Sequence, residues 1–170
     1  MRFLAFIGLL AIIAILLVGG YFFGGFFNVG ASWEDPQPVA AALARVRSAS
    51  IARRAHDQPP MALDEAGTIS TGARQFAKYG CSTCHGAPGV EWSKFSEGLN
   101  PGPPDLKEIA TERDPAALFW VVKNGIRMTG MPSFAKAGVP DNELWQIVAF
   151  VKKLPSVSEA DYKSWTAPAQ

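Results

Sequence analysis

The chain has 170 residues, 16 basic against 15 acidic, for a net charge of +1. That is room for one domain of ordinary size plus an extension, and the near-balance leaves no excess charge to seek out nucleic acid.

The first element is apolar. No charged residue occurs from Phe3 to Trp33, and Phe3 to Val18 is almost wholly hydrocarbon, followed by Tyr21-Phe22-Phe23 and Phe26-Phe27. About 20 such residues span a bilayer core, and aromatic residues favour its interface. A cleavable signal peptide is the rival, since Val29-Gly30-Ala31 offers small residues at which to cut. The apolar run exceeds the roughly 7–15 residues of a signal core, which favours an uncleaved single-pass anchor over residues 1–33. Charge does not orient it, because Arg2 lies on one side and Arg45, Arg47, Arg53 and Arg54 on the other.

Residues 34–61 form a second element. Asp35-Pro36 reads as an N-cap followed by a first-turn proline, opening a helix with Val39, Leu43 and Val46 as a narrow apolar stripe. Its four arginines suit either a solvated stalk or a surface that docks on anionic lipid or a partner subunit. His56-Asp57-Gln58-Pro59-Pro60 ends it as a linker of limited flexibility.

The chemistry sits in Cys81-Ser82-Thr83-Cys84-His85. Two cysteines two residues apart, with histidine directly after, is the attachment signature of c-type haem. The thiols lie about one helical turn apart, and His85 is left to ligate iron. These are the only two cysteines, so they serve each other or a cofactor. A thioredoxin-like disulfide would need a βαβ pattern, which is not visible. A structural zinc site needs four ligands, and only His56 remains, in a proline-rich segment.

Around the motif the pattern is helical. Ile69, Gly72, Ala73 and Phe76 recur at helical spacing ahead of it. Glycine- and proline-rich loop runs from Gly86 to Gly102, where Trp92 and Phe95 are expected to pack, with hydrogen bonding of Trp92 to a haem propionate as the lesser option. Asp114-Pro115 opens a helix through Leu118 and Val122 that stops at Gly125. Asp141 begins the last long helix, with Leu144, Trp145, Val148 and Val151 facing inward and Pro155 after its end. Residues 156–170 are expected to add one short helix against the domain, or to expose Tyr162 and Trp165 to a partner. No alternating strand pattern is present, so the expectation is an all-α protein.

Residues 64–155 resemble a class I c-type cytochrome domain in several motifs taken in order. Gly72 with Phe76 is similar to that family's close helix crossing, Pro103-Pro104-Asp105-Leu106 to its proline loop, Gly130-Met131-Pro132 to its distal methionine loop, and Glu143–Leu154 to its C-terminal helix. The resemblance implies a haem domain over residues 62–155 carrying one covalent haem c. It implies Cys81 and Cys84 as attachment points, His85 and Met131 as iron ligands, and the Pro104 carbonyl as acceptor from His85. It also places the haem domain on the periplasmic side of a bacterial inner membrane.

Met61, Met128 and His56 are the other candidates for the sixth ligand, with Met128 the runner-up to Met131. A thioether ligand raises reduction potential and closes the iron to oxygen. The expected function is therefore electron transfer, as a membrane-anchored monohaem cytochrome and not an enzyme. Donors would be a dehydrogenase or quinol-oxidising complex, and acceptors a terminal oxidase or another cytochrome. Residues 62–170 hold eleven basic and twelve acidic side chains, so no uniform basic ring steers a soluble acidic partner. The anchor and stalk suit a fixed subunit better than a shuttle. The alternative is a haem peroxidase or gas sensor with a displaceable methionine, for which Arg127 would have to serve as the distal group.

Overall fold

The computed structural model describes residues 2–168. They fall into two compact units that part between Glu34 and Asp35.

The first unit is dominated by α1 (Arg2–Phe23), 22 residues with none buried. At 1.5 Å per residue it is roughly 33 Å long, enough for a hydrocarbon core of about 30 Å. By length and composition it qualifies as a membrane span, and a signal sequence meets the same description. In its last turn Tyr21 meets Phe22 edge-on at 5.5 Å, and Phe22 pairs with Phe27, just past the helix end, with ring centroids 5.0 Å apart.

The second unit holds α2 (Gln37–Ala52), α3 (Ala66–Lys78), α4 (Cys81–His85), α5 (Leu106–Glu112), α6 (Pro115–Asn124), α7 (Asp141–Lys153) and α8 (Glu159–Thr166), with 3₁₀ turns at Lys94–Gly98 and Leu154–Ser156. Among the described residues there is no strand, only an isolated bridge between Ala87 and Val90. The architecture is all-α.

One expected helix start is corrected and another is met without its capping bond. α2 begins at Gln37, with Pro36 rather than Asp35 at the N-cap and no side-chain capping bond. Pro36 has ψ 138°, outside the helical well, so the helix cannot include it; Pro38 then takes the second helical position, where its missing N–H costs nothing. At α6, Asp114 is the N-cap, yet its side chain makes no capping bond. In the loop between Gly86 and Gly102, Trp92 and Phe95 are 54% and 62% exposed, while Pro88 and Ser96 are buried.

The core forms where α3 crosses α7. A Cβ at Gly72 would run into the Gln146 carbonyl oxygen and lie 3.0 Å from the Phe150 Cβ, so only glycine lets the two backbones approach this closely. Phe76 meets Phe150 at 5.2 Å, Phe119 stacks on Trp145 at 4.0 Å, and Tyr162 of α8 stacks on Phe150 at 5.7 Å. Seven residues of α7 are buried, from Leu144 to Val151. The C-terminal tail therefore joins the core; a Ser158–Asp161 capping box starts its helix, α8.

Candidate functional site

The site begins at Gly80, whose φ of 72° turns the chain sharply between α3 and α4. The single turn of α4 then sets Cys81 and Cys84 on consecutive positions of one helical face, and neither is in a disulfide. Burial, with a smaller contribution from Cys84, pushes the Cys81 thiol up to about 12. A disulfide oxidoreductase needs the opposite at its attacking thiol, a stabilised thiolate, and Cys81 does not offer it. Among the described residues no three of His, Cys, Asp and Glu gather into a metal-binding group.

His85 closes the turn. Its Nδ1 lies 3.2 Å from the Pro104 carbonyl oxygen, nineteen residues on. A carbonyl only accepts, so Nδ1 carries the proton and donates, which leaves the Nε2 lone pair free for a metal. Burial holds His85 below the ordinary imidazole range, partly opposed by the bond to Pro104, so the neutral ligand form is favoured. The acceptor is itself held in place, because the next residue, Asp105, caps α5 by accepting from the Lys107 N–H at 2.8 Å. At the other end of α5, Lys152 of α7 donates to the carbonyls of Ala110 and of Arg113, the latter at 3.0 Å.

His85 lines an open cleft of about 650 Å³ together with Ala87, Val90, Trp92, Leu106 and Leu154. Met131 is not part of that lining. It lies half-buried on the loop after α6, with its backbone held at both ends: its carbonyl accepts from the Ile126 N–H at 3.1 Å, and its N–H donates to Thr129 Oγ1 at 3.1 Å. The loop is seated on the carbonyls of α6, through Ser133 Oγ to Lys123 at 2.8 Å and the Phe134 N–H to Val122 at 3.3 Å. Gly125, at φ 68°, allows this, since a Cβ there would strike the Met131 and Pro132 carbonyl groups at 2.7 and 2.8 Å.

The other candidate ligands are placed elsewhere. Met128 is 88% exposed, Met61 packs against the hydrophobic core, and His56 is exposed with Nε2 donating to the Arg53 carbonyl at 3.0 Å. Arg127 is exposed.

Two unbonded thiols on one turn, a neutral imidazole with one nitrogen engaged and one free, and an adjoining cleft fit a covalently attached haem. Leu106 and Leu154 lie in the expected proline loop and at the end of the expected C-terminal helix, whereas Lys152 was not foreseen in this region, because its role depends on how α7 packs.

A family model described as cytochrome c oxidase, cbb3-type, subunit III matches residues 67–151, half of the chain. No curated protein and no solved structure matches.

Proposed function

The chain belongs to that family of c-type cytochromes, and from this premise we propose that it is a membrane-anchored link in a respiratory chain whose haem iron is held by His85 and Met131. Membership carries haem c, electron transfer and redox protein partners with it. The finer reading assigns Cys81 and Cys84 to the covalent bonds, His85 Nε2 to the proximal ligand position and the Met131 sulfur to the distal one. Bound there, haem c supplies a one-electron iron couple.

The observation that carries the reading is the His85–Pro104 hydrogen bond at 3.2 Å. It fixes the tautomer, holds the ring in plane and makes the imidazole a stronger donor. Two fixed protein ligands would leave no open position for substrate, which suits a carrier. The half-buried Met131, anchored at both its N–H and C=O, supports it over the exposed Met128 as the distal ligand. Domain limits follow as part of the proposal: anchor 1–33, stalk and linker 34–61, haem domain 62–155 and tail 156–170, with the haem domain on the periplasmic face. The anchor and stalk suit a fixed subunit of a larger oxidoreductase assembly, receiving electrons from a dehydrogenase or quinol-oxidising complex and passing them to a terminal oxidase or another cytochrome.

The test is optical. Detergent-purified protein should show a weak long-wavelength charge-transfer band when oxidised, and Met131→Ala should abolish it while the covalent haem is retained. Ready carbon monoxide binding by the reduced wild type would show an open iron and overturn the assignment.

A further inference from the structure

The helix α2 carries two unlike faces. Ala44, Ser48 and Ile51, spaced by four and three residues, are half-buried and mark the side toward the haem domain, where α2 packs against α6. On the opposite side lie Val39, Leu43 and Val46, spaced by four and three residues and 42%, 57% and 67% exposed. Arg47 borders this stripe on the helix, and Arg53 and Arg54 follow directly after the last residue of α2, Ala52. From Gln37 to His56 there are four arginines and no acidic residue. Among the described residues none of these arginines forms an ion pair; Arg54 is held instead by the Ser50 carbonyl and hydroxyl at 3.0 and 2.8 Å, its charge still turned outward.

We propose that this outer face of α2 lies on an anionic bilayer surface, with Val39, Leu43 and Val46 entering the headgroup region and Arg47, Arg53 and Arg54 meeting lipid phosphates. An apolar strip flanked by guanidinium groups is what such a surface selects, because long basic side chains reach phosphates while the strip buries below them. A purely solvated stalk has no use for three exposed aliphatic residues in register. The face matches lipid in charge and presents it opposite the side that is packed. The stripe is short, so binding by α2 alone is weak and becomes effective because the chain is already tethered. The inference rests on the reading that α1 inserts in the membrane.

The test uses the full chain with haem attached, in nanodiscs of phosphatidylcholine alone and of phosphatidylcholine with phosphatidylglycerol. Amide hydrogen exchange over residues 39–54 should slow in the anionic discs only. High salt and the variant R47Q/R53Q/R54Q should each remove that protection, each arginine lost weakening association about fivefold. Equal exchange in both discs, or protection that survives the triple substitution, would overturn the proposal. Protection that appears only on adding an acidic protein would assign the face to a partner instead. An alkaline wash of vesicles followed by flotation reports insertion of α1 separately, so failure of the anchor and failure of α2 docking give different results.

Discussion

At the scale of single residues, position decides chemistry more than residue type does. The chain has several methionines, and exposure separates two that are three residues apart. Met128 is 88% exposed at φ 60°, whereas Met131 is half-buried with both backbone polar groups engaged. Met128→Leu is therefore expected to leave the oxidised spectrum unchanged and to alter stability by no more than about 0.5 kcal/mol. Met131→Leu, similar in volume, should abolish the charge-transfer band. Spectra and thermal melts of the two variants check this. The Cys81–His85 motif was legible in the sequence because its spacing is itself the chemistry, and Pro104 because the motif order pointed to it. Lys152 was not. On a helix ending Val-Lys-Lys it reads as a solvated charge, and its acceptors at Ala110 and Arg113 lie some forty residues away. Lys152→Met should leave the carbonyl of buried Ala110 without its partner, at a cost of about 1–3 kcal/mol in denaturant unfolding, while water replaces the lysine at exposed Arg113.

Between elements, the α3–α7 crossing dominates. Gly72→Ala would push a methyl into the Gln146 carbonyl, and neither backbone can yield without disturbing the Phe76–Phe150 contact. Destabilisation of about 1–3 kcal/mol or more is expected, measured by thermal or denaturant unfolding. The same two helices are joined at the surface, where Tyr79 donates to Glu143 at 2.7 Å and Lys78 pairs with it at 3.3 Å. The Tyr79 bond, with Lys78 adding to it, holds the Glu143 carboxyl below its ordinary value of 4.5. Since the folded state then binds its proton less readily than the unfolded chain, the bond stabilises above that pH and the benefit fades as pH falls below it. Lys78 is raised above 10.5, first by Tyr79 and then by Glu143, so its share is present below that pH and lost on raising pH beyond it. The stability difference between wild type and Glu143→Gln should thus shrink in acid, as urea titrations across pH would show. Helical period revealed α3, α6 and α7 in advance because each buries one continuous face. α5 escaped notice: its seven residues are held by the Asp105 cap and by Lys152, with Ala110 the only buried residue.

For the whole molecule, the composition break near Glu34 marks where the two compact units part. α1 buries nothing and the core residues all follow Met61. A chain beginning at Asp35 is accordingly expected to fold with its spectrum intact and its stability changed by no more than about 0.5 kcal/mol, testable by circular dichroism and thermal melting. Composition could show that break, since a chargeless stretch gives way to a mixed one. It could not show that α2 packs on α6, because that packing is recorded by no more than partial burial, at residues such as Ala44, Ser48 and Ile51. The pairing of α3 with α8 has a further consequence. α3 and α8, the helices that bound the stretch 66–166, lie side by side, so that stretch begins and ends on neighbouring helices. Such a stretch is portable: grafted into a surface loop of a host protein, it would ask that loop to open only slightly.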